Sequence, residues 1–144
     1  MPGTLYVVAT PLGNLQDLSA RASSVLRSVG VVASEDTRRT GNLLAHLGAQ
    51  PRVLSFHAHS SARRLDTLLE VLAQDRDVAL VTDAGTPGVS DPGAELVAAA
   101  RAAGCPVVPV PGASAVATAI SASGLPADRY LFLGFVPRKG AERA

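Results

Sequence analysis

Short apolar runs alternate with stretches of helical periodicity along most of the chain. Thr4 to Ala9 (TLYVVA) is a β-rich run and predicts the first strand. Thr10-Pro11-Leu12-Gly13-Asn14 is a turn. After it, Leu18, Ala22, Val25, Leu26 and Val29 share one face of a helix that Asp17 or Ser19 can cap and Gly30 closes. Val31-Val32-Ala33 predicts a short second strand, and Asp36 or Thr37 caps a helix through about Leu47, ended by Gly48. Arg52 to Phe56 is the third strand. Ser60 or Ser61 then opens a helix to about Gln74, with Leu65, Leu68, Leu69 and Leu72 facing inward. Val78 to Thr82 is the fourth strand, followed by a long loop of Gly, Pro, Ser, Thr and Asp and a helix from about Pro92 or Gly93 to Ala103. Pro106 to Val110 is the fifth strand, and Ala115 to Ser123 is the last helix, ended by Gly124. Tyr130 to Phe135 (YLFLGF) is a further apolar run, and Pro137 to Arg143 is polar with no apolar period.

Strands alternating with helices of this length are the βαβ signature. They predict an α/β fold of three αβα layers around a mostly parallel five-stranded sheet with right-handed crossovers. The 144 residues fit one domain with a real core. An apolar fraction of 47%, mostly Ala, Val and Leu, suits a sheet covered by helices on both faces. We expect the domain to occupy residues 1–135 and residues 136–144 to begin a linker to a further domain, so that the chain reads as cut at a domain boundary.

Charge and cysteine content narrow the classes. The net charge of +1 makes no global case for a nucleic-acid partner. Its distribution is uneven: five Arg stand against Glu35 and Asp36 between Glu35 and Arg64, which marks either a local basic surface or a solvated face. Cys105 is the only cysteine, so no intrachain disulfide can form, and a reducing cytosol is the expected compartment. No apolar run approaches the roughly 18 residues of a membrane span. The opening MPGTLYVVATP has no basic segment and enters a strand directly, so no signal peptide is expected.

Four strand exits carry the candidate chemistry: Pro11 to Asn14, Ser34 to Arg38, Asp83 to Gly93, and Pro111 to Ser114. In a parallel sheet they lie on one edge, where ligands of this architecture bind. Neither GxGxxG nor GxxxxGK[ST] occurs, which disfavours nicotinamide-type binding and P-loop nucleotide hydrolysis. Asp83-Ala84-Gly85-Thr86-Pro87-Gly88 offers bare backbone groups that suit a nucleoside-like ligand, or else it is an Ω-loop held by its own hydrogen bonds. Ser114 stands at a helix start, where it either binds a carboxylate or hydroxyl group or simply caps the helix. In Glu35-Asp36-Thr37-Arg38-Arg39 the acids complement the helix dipole, and the arginines either face a phosphate backbone or lie solvated. His57 and His59 lack convincing partners for a metal, since only His46 and Cys105 remain, so no metal is expected.

VVATPLGNLQDLS, ASEDTRRTGNLL, SFHAHS, LVTDAGTPGVSDPGAELV and PVPGASAVATAISASGLP, in that order and spacing, resemble the bacterial small-subunit rRNA (cytidine-2′-O)-methyltransferase I family of the tetrapyrrole-methylase superfamily. The resemblance covers essentially the whole chain. It implies the first domain of a two-domain enzyme that uses S-adenosylmethionine in the cleft between domains. Carried onto this sequence, it implies cofactor contacts from Leu12, then Gly85, Thr86 and Val89, then Ser114 and Ala115. Many relatives have Gly-Asp-Pro where this chain has Gly85-Thr86-Pro87, so a role needing a carboxylate there would fall to Asp83 or be absent.

The reaction the resemblance implies is attack of a ribose 2′-oxygen on the methyl carbon of a sulfonium, which needs alignment and a base or hydrogen-bond acceptor. Glu35, Asp36 and His57 are candidates for that acceptor from position alone. Arg38 and Arg39, with Arg63 and Arg64, are the candidates for RNA phosphate contacts. The implied partners are small-subunit rRNA or the ribosomal subunit, and a second copy in a homodimer, with no membrane. Two rivals stand beside this reading: a small-molecule methylase of the tetrapyrrole type, and a binding or dimerisation module without activity.

Overall fold

Five strands and five helices alternate, as the apolar pattern requires. The strands are β1 (Leu5–Val8), β2 (Val31–Ser34), β3 (Arg52–Ser55), β4 (Val78–Val81) and β5 (Val107–Val110). The helices are α1 (Ala20–Ser28), α2 (Thr37–Leu47), α3 (Ala62–Ala73), α4 (Gly93–Ala102) and α5 (Ala115–Ser123). This computed structural model describes residues 1–90 and 92–137. Most of the polar stretch expected to begin a linker therefore lies outside the described residues.

The strands form one sheet in the order β3-β2-β4-β1-β5, and every pairing is parallel. The order explains where the helices go. The chain moves one way across the sheet from β1 to β2 to β3, and the other way from β3 to β4 to β5. Right-handed crossovers then put α1 and α2 on one face and α3 and α4 on the other. The core follows this division. Alternate strand residues Leu5, Val31, Val78 and Leu80 meet Leu68, Leu72, Leu96 and Ala100 from α3 and α4, with Cys105 buried among them. Val8, Val32, Ala79 and Val81 on the opposite face meet Ala22, Leu26 and Leu44 from α1 and α2. The central strands β2 and β4 are buried along their whole length, because helices cover both faces.

Helix ends use the expected side chains, and the structure chooses among the alternatives. Ser19 caps α1, its hydroxyl accepting from the Ala22 N–H, while Asp17 lies in a short 3-10 turn (Leu15–Asp17). Asp36, not Thr37, caps α2. The residue before α3 is Ser61, which makes no capping bond; the Ser60 hydroxyl instead accepts from the His57 N–H at 2.8 Å. Helix α5 differs from the others in having no buried residue. The apolar run Tyr130 to Phe135 forms no strand, and most of its side chains are exposed.

Candidate active site

The exits of β4, β1 and β5 are neighbours because their strands are neighbours, and hydrogen bonds stitch them together. Thr10 and Gly85 exchange both backbone bonds, each N–H donating to the other's carbonyl at 2.9 Å. The buried Thr10 hydroxyl donates to the Thr82 carbonyl at 3.2 Å. Further along the loop, the Thr86 hydroxyl donates to the Ala113 carbonyl at 2.9 Å. The loop after β4 is thus tied to the β1 and β5 exits and is not an Ω-loop held only by itself.

Two glycines make this packing possible. Gly85 has φ 88, a left-handed conformation that L side chains rarely adopt, and a Cβ there would stand 3.3 Å from Leu12 Cδ2. At Gly112 a Cβ would come within 2.9 Å of the Ala9 Cβ, so only glycine lets the β5 exit approach β1 this closely.

These exits enclose an open trough of about 650 Å³, lined by Leu12, Ala84, Thr86, Val89, Ala115 and Phe135 among others. A smaller hollow of about 100 Å³ adjoins it, lined by Gly85, Ser114, Val116 and Phe132 among others. Every sequence-derived cofactor candidate lines one or both: Leu12, Gly85, Thr86, Val89, Ser114 and Ala115. Ser114 also caps α5, accepting from the Ala117 N–H at 3.3 Å. The lining mixes apolar side chains with the polar Glu35, Thr82, Asp83, Thr86, Ser90 and Ser114.

The three acid–base candidates separate. Glu35 lines the trough. Asp36 is engaged by the fold: its carboxylate accepts from the Arg38 and Arg39 N–H groups at 3.0 and 3.3 Å. Ser34, bonded by its hydroxyl to the Asp36 carbonyl and to the Thr40 hydroxyl, holds the start of α2 against β2. His57 lies at the exit of the edge strand β3 and does not line the trough. Its Nδ1 accepts from the His59 N–H at 3.1 Å. Among the described residues no three His, Cys, Asp or Glu side chains gather as metal ligands.

The arginines line up along the same edge of the sheet, on its β2–β3 side. Arg39 lines a second cavity, of about 200 Å³, between the β1 exit and α2, and Arg38 is exposed beside it on the first turn. Arg63 and Arg64 border a separate hollow with Ser61 and Thr67 at the start of α3.

Sequence reasoning passed over Thr10, Thr82, Asn42, Phe132 and Phe135. The first two carried a readable signal, a polar residue closing an apolar strand. Phe132 and Phe135 carried none, since an apolar run without a motif does not say which of its residues meet a site.

Among known proteins, the family model for Tetrapyrrole (Corrin/Porphyrin) Methylases matches residues 4–143. The chain is 52% identical to ribosomal RNA small subunit methyltransferase I of Xylella fastidiosa over 99% of its own length and 52% of that protein's. It is 49% identical to the protein of that name in Escherichia coli O157:H7, over 98% of this chain and 49% of the relative. The chain thus spans about half the length of the curated relatives it matches. A crystal structure of uroporphyrin-III-C-methyltransferase from Thermus thermophilus superposes with a TM-score of 0.68 at 31% identity, over 88% of this chain and 55% of that one. No helix among the described residues is long and apolar enough to cross a membrane.

Proposed function

The chain belongs to the tetrapyrrole (corrin/porphyrin) methylase family, and on that premise we propose that it is the donor-binding domain of an S-adenosylmethionine-dependent rRNA methyltransferase. Its target in this reading is a ribose 2′-hydroxyl of a cytidine in small-subunit rRNA. One observation carries the choice of substrate. Identity of 49–52%, sustained over 98–99% of the chain, is to proteins named for rRNA, against 31% for a uroporphyrin enzyme.

The trough fits the proposed cofactor. Leu12, Val89 and Ala115 supply apolar walls for an adenine ring, and the Thr86 backbone supplies hydrogen-bonding groups beside the bare Gly85. Ser114 offers a hydroxyl and a helix N-terminus to a carboxylate. S-adenosylmethionine, when bound, supplies an electrophilic methyl carbon on a sulfonium. The task of the protein is then alignment and removal of one proton, for which no metal is needed. Of the sequence-derived candidates for the acceptor, Glu35 alone lines the trough. Asp36 is occupied as a cap, and the His57 Nδ1 is taken by the His59 N–H. Arg38, Arg39, Arg63 and Arg64 would hold the phosphates of an RNA strand laid along the β2–β3 end.

The second half of such an enzyme would follow residue 135 and close the trough from above. Coverage of half of each relative supports this arrangement. A cytoplasmic enzyme, with a second copy as partner, completes the proposal. The uroporphyrin neighbour favours one rival, a methylase acting on a macrocycle. An assay of the intact protein with methyl-labelled donor, on small-subunit rRNA and on a porphyrinoid in parallel, decides between them. Label in the porphyrinoid alone would sink the rRNA reading.

A further inference from the structure

We propose that the cavity between the β1 exit and α2 is the acceptor subsite, holding the nucleotide to be methylated, and that Asp83 receives the proton of its ribose hydroxyl. The inference rests on the rRNA methyltransferase reading and adds to it a place and a base. Methyl transfer joins two reactants in line, so donor and acceptor need adjoining spaces with a shared wall. This cavity and the trough have two lining residues in common, Thr82 and Asp83. Thr82 is buried and its carbonyl is taken by Thr10. Asp83 is exposed, and among the described residues its carboxylate has no hydrogen-bond or ion-pair partner. Asp36 caps a helix and Asp77 accepts from the Thr4 N–H, whereas Asp83, on the shared wall, keeps its lone pairs for a ligand. Glu35 lines the donor trough only.

The remaining walls suit a nucleotide. Arg39 offers a guanidinium to phosphate, and the exposed Asn42 amide offers a donor and an acceptor to a base edge. At about 200 Å³ the space is smaller than the roughly 300–1,000 Å³ that encloses a drug-sized ligand. It has room for one base or sugar of a longer strand. In the step itself the ribose oxygen bonds to the methyl carbon while the carbon–sulfur bond breaks. The bonding pair stays on sulfur, which becomes a neutral thioether, and the hydroxyl proton passes to the Asp83 carboxylate and then to water.

The test uses the intact protein and an RNA oligonucleotide carrying the target site. Asp83→Asn should lower single-turnover methyl transfer about 10²–10⁴-fold, the usual loss of a positioned base. Calorimetric donor affinity should stay within about threefold, as expected of a group that acts on the acceptor. Arg39→Ala and Asn42→Ala should weaken RNA binding, read by fluorescence anisotropy, without changing donor affinity. Transfer at the wild-type rate in Asp83→Asn would overturn the proposal, as would loss of donor binding in that variant. Unchanged RNA affinity in both cavity variants would overturn the subsite. A protein that methylates only a porphyrinoid fails the rRNA reading first, so the two failures are distinguishable.

Discussion

Gly85 joins three demands in one residue: a left-handed backbone, a paired bridge to Thr10, and contact with Leu12. Gly85→Ala should cost about 1–2 kcal/mol for the conformation alone, lowering Tm by roughly 2–8 °C. It should also weaken donor binding, because Leu12 must move. A thermal melt paired with calorimetry checks both, and an unchanged donor Kd would separate Leu12 from the cofactor. Asp36 makes the opposite point, that a carboxylate in a promising motif can serve the backbone. Asp36→Ala should lower stability by about 0.5–2 kcal/mol, while Asp36→Ser, which keeps a capping oxygen, should recover most of it in urea unfolding. From sequence alone Asp36 could not be told from a base, because capping and catalysis both favour an acid at a helix start. Thr86 was more legible. Its place in a Gly-Thr-Pro turn pointed away from side-chain charge, and its hydroxyl is in fact spent on the Ala113 carbonyl.

At the scale of elements, periodicity carried most of the information. The strands β1 to β5 and helices α1 to α5 stand within a residue or two of where apolar runs and caps put them. The strand order β3-β2-β4-β1-β5 was not legible, since strands buried on both faces all read as uniform apolar runs and none names its neighbour. The convergence of the β4, β1 and β5 exits depends on that order, so the membership of the site could be listed but its shared wall could not. The Tyr130 to Phe135 run, which periodicity left unassigned, forms no strand and pairs with no edge of the sheet. The α3 face gives a sharp stability test. Leu68 is fully buried against the sheet, and Leu68→Ala should cost about 2–5 kcal/mol, measured by chemical denaturation. The arginines on α2 and α3 give an electrostatic one. Removing Arg38, Arg63 or Arg64 should each reduce the salt slope of RNA binding by about one, with little sequence preference. A slope that does not move would make those side chains solvated surface.

Over the whole molecule, the apolar surface is lopsided. Leu125, Tyr130, Leu131, Leu133, Phe135 and Val136 are each at least 64% exposed, and α5 beside them buries nothing. Exposed apolar side chains concentrated in one segment mark an interaction surface. The 144-residue chain alone should therefore self-associate with concentration in sedimentation and bind a hydrophobic dye. Changing Leu131, Leu133 and Phe135 to Ser together should abolish both, and their persistence would place the sticky surface elsewhere. The sheet order has one more consequence, and it concerns time. Strand β1 is made first, yet its partners are β4 and β5; Leu5 pairs with Val78 and Val107. During vectorial synthesis β2 and β3 can meet early, while β1 waits as an orphan until β4 emerges and completes the centre of the sheet. The Thr10–Gly85 bridge forms only at that moment. A nascent chain halted before residue 78 should stay sensitive to protease along its first strand, and one extended past residue 110 should not.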